Sequence, residues 1–137
     1  MITLLAFIVT LATLIVIHEY GHYRVAVACG VKVLRFSVGF GRVVWRHVRG
    51  ETEFVICALP LGGYVRMLDE REGDVPAHEA HRAFNRQSLW RRTAIVAAGP
   101  LANLALAVLL YASAHWIGVD EAKAVLGSPA PASLAER

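Results

Sequence analysis

Ile2 to Cys29 reads ITLLAFIVTLATLIVIHEYGHYRVAVAC. Nothing between Ile2 and Ile17 carries a charge, then His18, Glu19 and His22 fall within little more than one helical turn, and Val25–Cys29 is apolar again. A bilayer core about 30 Å thick needs roughly 20 apolar residues at 1.5 Å each. Ile2–Ile17 reaches that length only if the helix runs on through His18–His22 to Cys29, which sets a polar cluster at membrane depth. Gly30 stands where such a helix needs its C-terminal cap. Thr93–Val119 is a second uncharged stretch and meets the length outright. The chain has 137 residues, 56% of them hydrophobic, which suits a few membrane helices with a small attached domain better than one soluble domain.

The polar cluster is an HExxH string, His18-Glu19-Tyr20-Gly21-His22. Residues four apart on a helix lie one above the other, so the two imidazoles can share one tetrahedral zinc ion. Glu19, next to the first of them, is placed to act as general base toward a water that the metal activates. The bland alternative is a pair of surface histidines near a helix end. Ionisable groups inside an apolar span are costly and by default functional, which favours the metal site.

Between the two apolar stretches the periodicity changes. Leu34, Phe36, Val38 and Phe40 alternate with Arg35, Ser37 and Gly39, a strand pattern. Val43–Val48 and Thr52–Leu59 read as two more strands joined by a tight turn at Arg49-Gly50-Glu51. Pro60 is expected to end the pairing, with Leu61–Met67 a loop and a short fourth strand. Asp69–Ala80 is charged, contains Pro76, and reads as a loop. The second span is expected to begin near Ser88, to kink or open at Gly99-Pro100, and to offer a small-residue surface at Ala97, Ala98, Gly99 and Ala102.

The net charge is only +3, but 12 of the 14 Lys and Arg lie between Arg24 and Arg92. The positive-inside rule therefore sets the connecting region in the cytoplasm and the N-terminus and the tail after Gly118 outside. Seven acidic residues are interspersed among these cations, so a nucleic-acid partner is not expected. Cys29 and Cys57 fall on the reducing side without CxxC spacing and read as small, partly buried hydrophobes. Ala26-Val27-Ala28-Cys29 has the look of a lipoprotein cleavage site, but no basic segment precedes the apolar run.

With its HExxH on a first membrane helix, the chain resembles the site-2 protease (M50-type) family of intramembrane zinc metalloproteases, most closely the bacterial branch that contains the regulator of sigma-E protease. Val38-Gly39-Phe40-Gly41 is similar to that family's membrane-reentrant loop, and Pro60–Glu70 to the stretch ending its β-region. Ala83-Phe84-Asn85, Ala97-Ala98-Gly99-Pro100 and Asn103 resemble the entry to its second core helix, and Gly127-Ser128-Pro129-Ala130 the opening of its PDZ domain.

The resemblance implies an α-helical membrane protein with a small inserted membrane-associated β-sheet. Residues 1–29 would be the first transmembrane helix, 30–68 the β-region with its reentrant loop, and 69–87 a cytoplasmic loop. Residues 88–118 would be the second transmembrane helix and 119–137 the beginning of a periplasmic PDZ domain, all in the bacterial inner membrane. It implies His18 and His22 as zinc ligands and Glu19 as the catalytic base. Asn103 would hold the substrate backbone or the developing oxyanion, and Gly39, Phe40 and Gly41 would help to bind substrate. For Asn103 the alternative is a hydrogen bond between helices; for the β-region it is an ordinary cytoplasmic sheet with glycine turns. A sheet edge that takes a substrate by strand addition suits a protease whose target must be unwound before it is cut. The implied partners are membrane lipid and a transmembrane protein substrate, either a single-span anti-sigma factor or leftover signal peptides.

The family's third zinc ligand is an aspartate on a later membrane helix, and no convincing substitute is present. Asp69 and Asp74 belong to the charged loop, Asp120 lies past the second span, and His78 and His81 read as solvated. The 137 residues are therefore expected to be a fragment or a truncated relative, inactive by themselves. Two competing readings stand beside the protease: a membrane HExxH peptidase whose third ligand is a downstream glutamate, and a non-enzymatic membrane adaptor with a PDZ-like tail.

Overall fold

The computed structural model describes residues 1–118. The PDZ segment expected at 119–137 lies outside them. A helix α1 (Ile2–Ala28) is followed by two long strands, β1 (Val33–Arg49) and β2 (Thr52–Met67), and then by 3-10 turns at Ala80–Arg82 and Phe84–Arg86. A second helix, α2 (Leu89–Ile117), completes the described chain.

At 1.5 Å per residue, α1 and α2 are each roughly 40 Å long, enough to cross a bilayer. Their environment agrees with their composition. A helix that is apolar all round is normally buried in a protein core or in lipid. None of the most apolar 18-residue window of α1 is buried here, and Leu4, Leu5, Phe7 and Val9 are all more than half exposed. That surface matches hydrocarbon, not water. α1 ends as its sequence dictates: Gly30 takes φ 80°, the Gly30 N–H donates to the Val27 carbonyl and the Val31 N–H to that of Ala26. This is the Schellman arrangement, which satisfies the last carbonyls of a helix.

The sheet departs from the sequence reading. Three strands and a short fourth were expected, yet the segments join into two continuous, bent strands. Val43–Arg49 folds back on Thr52–Cys57 across the tight turn at Gly50, which has φ 62°. Val33–Val38 then lies between two neighbours, antiparallel to Gly63–Met67 on one side and beside Glu53–Ile56 on the other. Each strand bends where it changes partner. Gly39 and Gly41, at φ 86° and 84°, turn β1 without ending it. Pro60 sits in the corresponding bend of β2, where no ladder partner needs its missing N–H. Breakers that look like strand ends are corners of a continuous strand.

The helices meet the sheet at the end of α1. Tyr23, Phe36 and Phe54 form an aromatic triangle with ring centroids 5.4–5.9 Å apart. Ala26, Val31, Val33 and Ile95 form the buried centre, with Val65, Met67 and Phe84 packed on it. α2 runs unbroken through Pro100 and turns a stripe of Ile95, Ala98, Gly99, Ala102 and Asn103 toward α1. The helices approach so closely at Gly21 that a Cβ there would stand 2.5 Å from the Ala98 carbonyl oxygen. This is the small-residue packing that the sequence of α2 announces.

The segment 69–87, expected to be a simple loop, is fastened down. The Phe84 N–H donates to the Leu68 carbonyl and the Leu68 N–H to that of Lys32. Asn85 donates to Glu70, which also pairs with Arg86, while Lys32 pairs with Glu79 and Arg82 with Glu51. Hydrogen bonds from Lys32, Arg86 and Arg82 hold Glu79, Glu70 and Glu51 respectively below the ordinary value of 4.5. A carboxylate with a lowered folded value stabilises the fold fully above the unfolded value and loses that contribution as pH falls through the folded one. Lys32 is raised above 10.5 by its hydrogen bond to Glu79, so its share is lost only as pH climbs past that value. Hydrogen-exchange protection at Leu68 and Phe84 is accordingly expected to be flat from about pH 5 to 9 and to drop below about pH 4.5. Because the Arg82–Glu51 and Arg86–Glu70 pairs are exposed, the drop should shrink in high salt. Protection that stays level at pH 3 would show that the pairs do not hold the segment.

Candidate metal centre

α1 sets His18 and His22 one turn apart, with their Nε2 atoms 3.2 Å from each other and their rings nearly perpendicular at 83°. Two nitrogens, each about 2.0–2.1 Å from a tetrahedral zinc ion, stand about 3.3 Å apart. The spacing of the two nitrogens therefore matches that of a zinc-binding pair. The His22 Nδ1–H donates to the Ile95 carbonyl of α2 at 2.7 Å. That bond fixes the tautomer, leaving the Nε2 lone pair free for a metal, and it is the support that ligating imidazoles usually have.

α2 roofs the pair. Gly99 lies so close that a Cβ there would fall 2.3 Å from His22 Nε2 and 2.8 Å from His18 Nε2. The Asn103 side chain reaches His18, its amide 3.5 Å from Nδ1. Glu19 turns toward the sheet, where a Cβ on Gly63 would stand 2.8 Å from its Cγ. A cavity of about 520 Å³ opens from Glu19 and His22 along Gly63–Met67 to a charged mouth at Asp69, Arg71 and Glu72.

His18, Glu19, His22 and Asn103 are thus brought together. Gly39, Phe40 and Gly41 do not line the cavity. They form the β1 bend one ring away, where Phe40 stacks on the cavity residue Tyr64 at 6.0 Å. Asp69 is paired with Arg71, which holds its carboxyl below the usual range, and His78 and His81 are exposed. Among the described residues no group of three or more His, Cys, Asp or Glu side chains converges as a metal site. Three contributors escape the sequence reading: the Ile95 carbonyl, Gly99 as a roof, and Gly63 beside the base. A backbone carbonyl leaves no mark in a sequence, and the two glycines stand in strings where helix packing or a turn explains them equally well.

The family model for peptidase family M50 matches residues 6–129. A Ralstonia nicotianae protein named provisionally as a zinc metalloprotease is 52% identical over 98% of this chain and 31% of its own length. The protease RseP of Yersinia pestis is 48% identical over 97% of this chain and 30% of its own. The regulator of sigma-E protease of Salmonella typhimurium is 48% identical over 96% and 30%. The chain thus spans about three tenths of the length of these relatives. A match over most of the chain, taken with two apolar helices and an HExxH pair at metal-binding distance, makes this membrane protein a member of peptidase family M50.

Proposed function

We propose that this chain supplies the metal-binding helix, the catalytic base and the substrate-holding sheet of an intramembrane zinc metalloprotease. The observation that carries the reading is the His18–His22 pair, with Nε2 atoms 3.2 Å apart and one ring locked by the Ile95 carbonyl, beside a glutamate that opens on a cavity. His18 and His22 would hold the ion, with a third ligand from outside the described residues; an aspartate on a later membrane helix is the choice that the family resemblance favours. Zinc there supplies Lewis acidity, making water a nucleophile at neutral pH and polarising the scissile carbonyl. Glu19 takes the proton of the attacking water as its oxygen bonds to the carbonyl carbon, and delivers it to the amide nitrogen as the C–N bond breaks.

A helical substrate shields its peptide bonds, so it must be held extended. Gly63–Met67 lines the cavity next to Glu19 and, among the described residues, pairs on one side only, with Val33–Val38. Its other edge can take a substrate strand through main-chain hydrogen bonds. Exposed Val44, Trp45, Val48, Leu59 and Leu61 give the sheet an apolar rim suited to lying in the membrane, with the Gly39-Phe40-Gly41 bend as its reentrant part. The cluster of Lys and Arg between the helices supports a cytoplasmic location for that region in a bacterial inner membrane, with a PDZ domain beginning on the periplasmic side. By their names, relatives act as proteases or regulate sigma-E, which supports a single-span anti-sigma factor as substrate class.

Metal analysis tests the reading directly. The purified full-length protein is expected to carry one zinc per chain, and His18→Ala or His22→Ala to lose it. Zinc content unchanged in both variants would overturn the site.

A further inference from the structure

Asn103 approaches His18 with its amide 3.5 Å from Nδ1, while its Oδ1 is buried and has no hydrogen-bond partner. As placed, the amide NH2 donates to Nδ1. His18 must then carry its proton on Nε2, whose partner among the described residues is His22 Nε2 at 3.2 Å. That donor–acceptor chain is self-consistent, but it uses up both lone pairs that a metal needs. With an ion bound, both Nε2 atoms must be bare, so the proton of His18 moves to Nδ1 and that atom becomes a donor. The group beside it must then accept. The two ends of a carboxamide have nearly the same shape, and a half-turn about the last side-chain bond exchanges them.

We infer that Asn103 is a positioning residue for His18, its amide turned so that the oxygen accepts from the Nδ1–H that a metal-ligating His18 carries. The turn gives the orphaned oxygen its partner. It also puts the NH2 where the unpaired oxygen had been. His22 needs no such device, because the Ile95 carbonyl accepts from its Nδ1 permanently. The two imidazoles are therefore held differently, one by a backbone carbonyl and the other by a side-chain amide.

The inference rests on the metal-site reading above, and the experiment separates the two. Zinc affinity of the detergent-purified full-length protein is measured by competition with a chromophoric chelator, with the Co2+ absorption bands as a second readout. Asn103→Leu, which removes the acceptor, is expected to weaken binding about 10–100-fold. Asn103→Asp, which keeps an acceptor and loses the donor, should bind within a few-fold of wild type, with its Co2+ bands preserved. Affinity unchanged in Asn103→Leu, or lost equally in both variants, overturns the role given to Asn103. A wild-type protein that binds neither ion overturns the metal site itself.

Discussion

Glu19→Gln is expected to leave zinc content unchanged and to lower hydrolysis of a membrane-spanning substrate by about 10²–10⁴-fold, the usual worth of a positioned general base. The separation follows from geometry. The metal-facing atoms are the two Nε2 nitrogens, whereas Glu19 lies beside the pair, its Cγ against Gly63, on the cavity that His22 also lines. Glutamine has the same length and branching, so the close approach at Gly63 and the packing of α1 on the sheet survive the change. What goes is the ability to take a proton from water and hand it to the leaving nitrogen. Turnover of a single-span reporter, measured beside metal content, reads both effects at once. A glutamine variant that cuts at the wild-type rate would remove Glu19 from the chemistry. One that loses its zinc would recast the residue as part of the metal's support.

Much of this arrangement could be read from residue order, because it depends on local geometry. The four-residue spacing of His18 and His22 sets both rings on one face whatever surrounds them. Gly30 after the last apolar residue marks the helix end because the cap needs a left-handed residue, and Gly50 marks the hairpin for the same reason. The sheet was harder. Gly39, Gly41 and Pro60 each break a strand by local rules, but a two-sided ladder lets β1 and β2 turn through them and exchange partners. That exchange is set by pairing between distant segments, which local rules do not contain. The same holds for the charged stretch 69–87. Its composition is that of a loop, while its rigidity comes from partners 15 to 47 positions away, such as Glu70 with Asn85 and Lys32 with Glu79. Asn103 stood out in sequence as a lone amide in an apolar helix, but its nearness to His18 needed the packing of α2 on α1.

Gly99 exposes that packing to a sharp test: Gly99→Ala is expected to abolish stoichiometric zinc binding. The methyl would sit 2.3 Å from His22 Nε2, against the 3.5–4.0 Å or so at which carbon-sized atoms normally rest. The imidazole would have to move by about 1 Å or more. It could do so only by giving up the 2.7 Å bond to the Ile95 carbonyl or the 3.2 Å spacing to His18. Either loss takes apart the metal-facing pair. In an ordinary helix the same change would favour folding, by about 1 kcal/mol of helix propensity. Gly99 precedes Pro100, however, and a Cβ before proline disfavours the helical conformation, so a loss of metal could arise from a distorted α2 instead. The double variant Gly99→Ala/Pro100→Ala distinguishes the two causes, since alanine at 100 removes the pre-proline clash and leaves the methyl against the rings. Zinc binding is expected to stay lost in the double variant while helical content is retained. Recovery of wild-type affinity there would mean that glycine serves the helix backbone alone, and that the imidazoles have room the structure does not give them.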